Sequence, residues 1–378
     1  MMRVIELFAG IGAQHAALTR LGMDAEYTVC EIDENAYKAY QAVHGPTPNL
    51  GDIRDVERLP PSDLVTWSFP CTSISAAGRR EGMREGSGTA SSLGWEVIRV
   101  LRATPERERP RHLLMENVPM LLNAKNRPEF DRMCAELASM GYVNTHATLN
   151  ACDYGVPQHR RRVFMVSSLD GSYMFPAPVP LTRCLRDVME EDVDSSYFLS
   201  SKVVEGYERH KARQEENGRG FGWRPSGPEV VARCVTPDPT RHCSTFIRYT
   251  GDTHKESTFE SNRRVVSSEG VSPTLTLRQD EGQCTKIETA PRGDVARVEI
   301  DGEEVSIRRL TERECWRLMG FSDAEFERAR DAGIPKTHLY KQAGNSIVVD
   351  VLVAIFRNMY APDATQTRLE GFFEEASE

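Results

Sequence analysis

Over its first 170 residues the chain repeats one pattern, a short apolar run followed by a stretch with helical periodicity. MRVIELF (2–8), EYTVCEI (26–32), DLVTWSF (63–69) and HLLMENV (112–118) read as strands that are buried on both faces. QHAALTRL, ENAYKAYQAV, SSLGWEVIRVLRA and PEFDRMCAELASM instead space their apolar residues by three and four. The last of these begins with Pro128, stops at Gly141 and puts Phe130, Met133, Leu137 and Met140 on one face. Strands alternating with helices predict an α/β fold, a parallel sheet with helices on both sides. VNTHATL (143–149) and RRVFMVSS (161–168) read as its last strands.

The texture changes from about residue 170 to 305. Gly, Pro, Ser and Thr become frequent, as in GRGFGWRPSGPE, TPDPTRHCST and SPTLTLRQDEGQ, with short β-type runs such as VVARCVT and STFIRYT among them. Aromatic and β-branched residues persist, which predicts a smaller, irregular, β-rich domain rather than a linker. The acidic run DVMEEDVDSS reads as a solvated face. Helical order then returns in LTERECWRLMGF, where Thr311 and Glu314 have capping-box spacing, and in SIVVDVLVAIFRNMY. LEGFFEEASE reads as a frayed tail.

Composition narrows the setting. A chain of 378 residues with 39% hydrophobic and 27% charged residues is ordinary soluble globular material, and no stretch reads as a membrane span. MMRVIELFAG runs straight into glycine, as a first core strand does and a signal peptide does not. The nine cysteines lack CxxC or Cys/His ligand spacing, which points to reduced thiols, no metal and a cytoplasmic home. With a net charge of −9, a nucleic-acid partner would have to be held by local clusters. Arg79, Arg80 and Arg84, then Arg160 to Arg162, Arg263 with Arg264, and Arg308 with Arg309 are such clusters.

Chemistry-bearing residues gather where strands end. In ELFAGIGAQ, Gly10 and Gly12 let the backbone approach a ligand, and the helix that follows offers unpaired N–H groups. His15 stands where a dinucleotide fingerprint needs a third small residue, which argues against NAD. Glu31 and Asp52, at successive strand ends, suit the hydroxyls and base of a nucleoside without phosphates. In SFPCTSIS, Cys71 follows Pro70 just past a strand end, either one more small buried side chain or a thiol poised to react. The next stretch, AAGRREGMREGSGT, reads as a mobile basic lid or as a plain surface loop. Glu116 ends an apolar strand, where desolvation would raise its pKa and suit it to acid work or to a structural hydrogen bond. In QHRRRVF, an extended chain turns Arg160 and Arg162 to one side and Arg161 to the other.

Taken in order, FAGIG, the Pro-Cys of SFPCTSIS, ENV, QHRRRVF, RRLTERECWRLMGF and QAGNSIVVDVL resemble the principal blocks of the DNA (cytosine-5) methyltransferases. The resemblance covers roughly residues 1–167 and 305–360. It implies a doubly wound, mixed-sheet, Rossmann-like methyltransferase fold, with a discontinuous catalytic domain (1–169 and 305–378) and a target-recognition domain (170–304). It also implies S-adenosyl-L-methionine as cofactor, duplex DNA as partner and a monomeric, cytoplasmic enzyme that flips its target base. By resemblance Cys71 is the nucleophile, Glu116 holds or protonates the ring nitrogen, Arg162 binds the cytosine carbonyl, and Arg160 supports the loop or a phosphate. Phe8, Gly10, Ile11, Gly12 and Pro70 would line the cofactor pocket, with Glu31 on its ribose and Ile32, Asp52 and Ile53 around its adenine. Asn345 and Ser346 would open a C-terminal helix beside the cofactor turn. Arg233, Arg241, Arg248, Arg278 and Gln279 are candidates for reading base edges. Rival readings are an RNA cytosine-5 methyltransferase, a catalytically silent DNA-binding relative and, more distantly, a nicotinamide oxidoreductase.

Overall fold

The structure, a computed structural model, describes residues 1–75, 81–200 and 303–360, with isolated positions and short strands between 202 and 300. Seven strands come first in the chain: β1 (Met2–Leu7), β2 (Ala25–Cys30), β3 (Leu64–Trp67), β4 (His112–Asn117), β5 (Val143–Asn150), the two-residue β6 (Gln158–His159) and β7 (Arg161–Ser168). Interleaved with them are α1 (Ala13–Arg20), α2 (Glu34–His44), α3 (Gly94–Ala103) and α4 (Arg127–Ser139). The C-terminal part adds α5 (Glu312–Leu318), α6 (Asp323–Asp331), α7 (Lys336–Asn345) and α8 (Val349–Tyr360).

Six strands form one sheet in the order β2-β1-β3-β4-β7-β5. β1 pairs in parallel with β2 and β3, and β3 with β4, but β7 lies antiparallel to both β4 and β5. The all-parallel sheet expected from periodicity is therefore corrected to a mixed sheet, as the family resemblance implied. The cause is the connection. Only residues 151–160, a 3₁₀ turn and β6, join β5 to β7. A parallel neighbour needs a crossover of a dozen or more residues, so the chain doubles back instead.

Alternate residues of each central strand feed opposite layers, as a doubly wound sheet requires. Val4, Leu64, Leu114, Phe164 and Val166 face a core built with α1, α5, α7 and α8. Ile5, Val65, Leu113, Met115, Val163 and Met165 face the other, filled by Trp95, Val97, Phe130 and Met133 of α3 and α4. The predicted face of α4 is buried, with Phe130, Met133 and Leu137 at 0% exposure. The stretch Lys336–Tyr360 is long and apolar enough to cross a membrane by length and composition, yet it is mostly buried inside the fold. Leu185 and Val188 join the first core beside Trp316.

A buried ion pair fastens the returning chain. Arg308 donates to both oxygens of Glu314, Nη2 to Oε1 at 2.7 Å and Nη1 to Oε2 at 2.8 Å. Glu314 also completes the predicted capping box with Thr311 and accepts from the Glu190 amide at 2.8 Å. Both side chains are essentially inaccessible, at 2% and 0% exposure. Removing one partner strands a buried charge. Arg308→Met is therefore expected to cost about 3–5 kcal/mol in urea unfolding, and Arg308→Met with Glu314→Leu distinctly less than the sum of the single changes.

Candidate active site

The turn after β1 is set by backbone geometry. Phe8, Gly10 and Gly12 all have positive φ, at 59°, 58° and 76°. For Phe8 this is a strained conformation, of the kind that persists where surrounding structure enforces it. A side chain at Gly12 would strike His44 Nε2 at 2.5 Å and Tyr40 Cε2 at 2.6 Å, so the position must be glycine. Above Gly10 a Cβ would meet nothing within 4 Å, which leaves open space against bare backbone. His15, the residue that breaks the dinucleotide pattern, is held by aromatic neighbours. It stacks between Tyr27 and His44, with ring centroids 3.5 and 4.2 Å away, and meets Tyr40 Oη at 3.0 Å. Burial lowers its pKa to about 3, so it sits there neutral.

The carboxyl end of β2 closes this cradle. Glu31 accepts from the Gly10 amide at 2.9 Å and from the Asp33 amide at 2.8 Å, tying the turn to the start of α2. Each oxygen keeps a further lone pair for a hydroxyl. Ile32 beside it is 66% exposed, an unusual state for a large apolar side chain and a ready platform for a flat ring. Asp52 is held by Arg54, whose guanidinium depresses its pKa. Ile11 and Ile53 are each 2% exposed and belong to the two cores, so they support the cradle from behind. Asn345 ends α7 rather than opening a helix, and the next helix starts at Val349. Ser346 between them is extended, with φ −71° and ψ 163°.

The Pro-Cys turn follows β3. Asn117, at the end of β4, donates to the Phe69 carbonyl at 3.0 Å. Cys71 carbonyl oxygen accepts from the Ile74 and Ser75 amides at 3.0 and 2.8 Å, so the chain winds up just past the thiol. Glu116 ends the neighbouring strand at 8% exposure. Its Oε1 is 3.1 Å from Arg162 Nε. Arg162 arrives at the start of β7, which runs backwards beside β4. Arg160 is buried and donates to the carbonyls of Gly344 at 2.9 Å and Ser346 at 2.7 Å, while Arg161 is exposed. The sequence reading of alternating faces holds, and it missed the partner. Arg160 locks the C-terminal segment against the site.

Electrostatics tie these residues together. Burial pushes the Cys71 thiol above its usual range, Arg162 and Arg160 pull it down, and Glu116 pushes it up. Burial likewise raises Glu116 against the opposing pull of Arg162 and Arg160. Cys71, Glu116 and the two arginines thus feel one another across a desolvated pocket. Both groups are raised by burial, and in both the two guanidiniums act against the rise. Of the basic lid, Arg79 and Arg80 lie outside the described residues, as do Arg263, Arg264, Arg233, Arg241, Arg248, Arg278, Gln279 and the tail.

Comparison with known proteins adds a family. A family model described as C-5 cytosine-specific DNA methylase matches residues 2–361. The type II methyltransferase M2.ScrFI of Lactococcus lactis subsp. cremoris is 28% identical over 418 residues, covering 95% of this chain and 99% of that protein. The orphan methyltransferase M.SPBetaI of Bacillus phage SPbeta is 28% identical over 434 residues, covering 95% and 97%. Among solved structures, Schizosaccharomyces pombe (S. pombe) Dnmt2 superposes with a TM-score of 0.65 at 18% identity, covering 97% of this chain and 100% of that one. The Entamoeba histolytica methyltransferase EhMeth gives 0.68 at 15% identity, covering 96% and 98%.

Because Cys71 is raised by burial and lowered by Arg162, its alkylation has a defined pH behaviour. Peptide-resolved iodoacetamide labelling of the free protein should accelerate as pH climbs through 9 and beyond. Arg162→Gln should slow it at pH 8.5, since loss of the cation leaves less thiolate.

Proposed function

The chain belongs to the C-5 cytosine-specific DNA methylase family, and from that premise we propose that it methylates carbon 5 of cytosine in a specific duplex sequence through a covalent Cys71 adduct. The observation that carries the reading is the convergence of Cys71, Glu116 and Arg162 from three neighbouring strand ends. The cradle at Gly10 and Gly12, with Glu31 and Ile32 beside it, fits S-adenosyl-L-methionine. Its open backbone suits the methionine chain, its carboxylate a ribose, and its exposed isoleucine an adenine ring. When bound, this cofactor supplies an electrophilic methyl group on a sulfonium.

Carbon 5 of cytosine is a weak nucleophile until carbon 6 is saturated. The Cys71 thiolate adds to carbon 6, and the electron pair of the carbon 5–carbon 6 bond becomes available at carbon 5. Charge that would otherwise build on the ring is taken up at nitrogen 3, where Glu116 in its acid form donates. Arg162, already lined up on Glu116, donates to the cytosine carbonyl oxygen. After carbon 5 has taken the methyl group, its proton leaves to a base. The electron pair re-forms the double bond and expels Cys71 as thiolate. The net change is one methyl gained and one proton released. The target must leave the base stack first, as it does for base-modifying methyltransferases in general.

Residues 170–304 serve in this reading as the target-recognition domain, with the discontinuous remainder as the catalytic domain. The parallel pairing of β6 with Ser272–Pro273 supports it, because it attaches the middle of the chain directly beside the two arginines.

Cys71→Ser should lower methyl transfer by at least ~1,000-fold, the scale of losing a covalent nucleophile, while isothermal titration shows S-adenosyl-L-methionine bound as before. Bisulfite sequencing of plasmid DNA from cells expressing the chain should show one methylated sequence. Methyl incorporation into transfer RNA but not into DNA would overturn the substrate. Replacing 170–304 by a relative's segment should change the methylated sequence, and an unchanged sequence would refute the domain assignment.

A further inference from the structure

Asn117 accounts for one carbonyl of the Pro-Cys turn. A second residue, outside every motif that marks the site, holds a further carbonyl and an amide of the same turn. Ser91 lies in the 3₁₀ turn Ala90–Leu93 that leads into α3, and it is completely buried. Its hydroxyl donates to the Pro70 carbonyl at 2.7 Å and accepts from the Ser73 amide at 3.2 Å. One oxygen atom therefore closes the backbone on both sides of Cys71. The Phe69 carbonyl one residue earlier is held by Asn117 at 3.0 Å. Every polar backbone group from 69 to 73 that these side chains reach is fixed by residues on other elements.

The surroundings of Ser91 are equally set. Ser92 Oγ donates to the Thr89 carbonyl at 2.7 Å, Thr89 Oγ1 donates to the Gly82 carbonyl at 3.0 Å, and the Gly82 amide donates to the Ser73 carbonyl at 2.9 Å. Trp95 Nε1 donates to the Met83 carbonyl at 3.1 Å. The far end of the arginine-rich loop, the turn before α3 and the thiol-bearing turn are thus stitched into one hydrogen-bonded unit with Ser91 at its centre.

We propose that Ser91 is a positioning residue for the methyl transfer, holding the Cys71 turn so that the thiol stands at attack distance from carbon 6. The proposal rests on the cytosine-5 reading of the same site. Without the hydroxyl, a partly buried carbonyl and a buried amide lose their partner, and the turn must shift to find others. A displacement of about 1 Å costs on the order of 100-fold in rate when the reacting atoms are held near contact. Ser91 touches neither base nor cofactor in this account, so binding of both is expected to survive.

Single-turnover transfer of labelled methyl to duplex DNA separates the possibilities. Ser91→Ala should transfer about 10- to 100-fold more slowly than the unaltered chain, with dissociation constants for DNA and S-adenosyl-L-methionine within about twofold. Ser91→Cys, which keeps the side-chain shape and offers only a weak donor, should fall in the same direction and guards against loss of fold in the alanine variant. Iodoacetamide labelling of Cys71 should change in rate in both variants while labelling of Cys134 stays constant. A wild-type transfer rate in either folded variant would overturn the proposal. So would binding constants that weaken in step with the rate, since that marks general damage. If the unaltered chain itself transfers no methyl to any DNA, the functional reading fails before Ser91 is tested.

Discussion

The site depends on one reversed strand. β7 enters between β4 and β5 antiparallel to both, so its first residues lie where β4 ends. Glu116 pairs across with Phe164 and Asn117 with Val163, which leaves the arginines that precede Val163 beside the carboxyl ends of the parallel strands. Parallel sheets place their ligands at those ends. A strand running the usual way would have carried Arg160 and Arg162 to the opposite edge of the sheet, far from Cys71. The short link of residues 151–160 enforces the reversal, because it leaves no length for a crossover helix.

From that geometry follows the electrostatic character of the pocket. Burial raises the pKa of both the thiol and the carboxyl, and two guanidiniums oppose the rise. Arg162 is paired with Glu116, and Arg160 is spent on the backbone of residues 344 and 346. The second arrangement couples the two ends of the chain. The C-terminal segment, which returns after 130-odd residues of different texture, is pinned beside Glu116 and Arg162 and not merely laid on the sheet. Lys341 extends the same fastening to the glycine turn after β1, donating to Asp33 at 2.6 Å where Asp33 caps α2.

Much of this was legible in the residues. Strand and helix periodicity located the elements of the first 168 residues, the Pro128 and Gly141 signals bounded α4, and the Thr311–Glu314 box marked the start of α5. Cys71 and Glu116 stood out because they follow or end apolar runs, and Arg162 because an extended chain puts it on one face with Arg160. Sheet direction was not legible from periodicity, since a buried antiparallel strand is as continuously apolar as a parallel one. Nor was the role of His15, whose stack depends on Tyr27 and His44 from other elements. Ser91 carried no signal at all. A serine beside another serine reads as a helix cap, and only the fold shows its hydroxyl against Pro70 and Ser73.

The central claim is that the sulfur of one cysteine bonds to a cytosine ring. Incubating the protein with S-adenosyl-L-methionine and duplex DNA carrying 5-fluorocytosine at the methylated position blocks loss of the carbon 5 substituent, so the adduct should accumulate. Digestion and mass spectrometry should then place the nucleotide on Cys71, in the peptide containing SFPCTSIS. A crosslink at any other residue, or methylation of ordinary substrate with no adduct on the fluorinated one, would contradict the account.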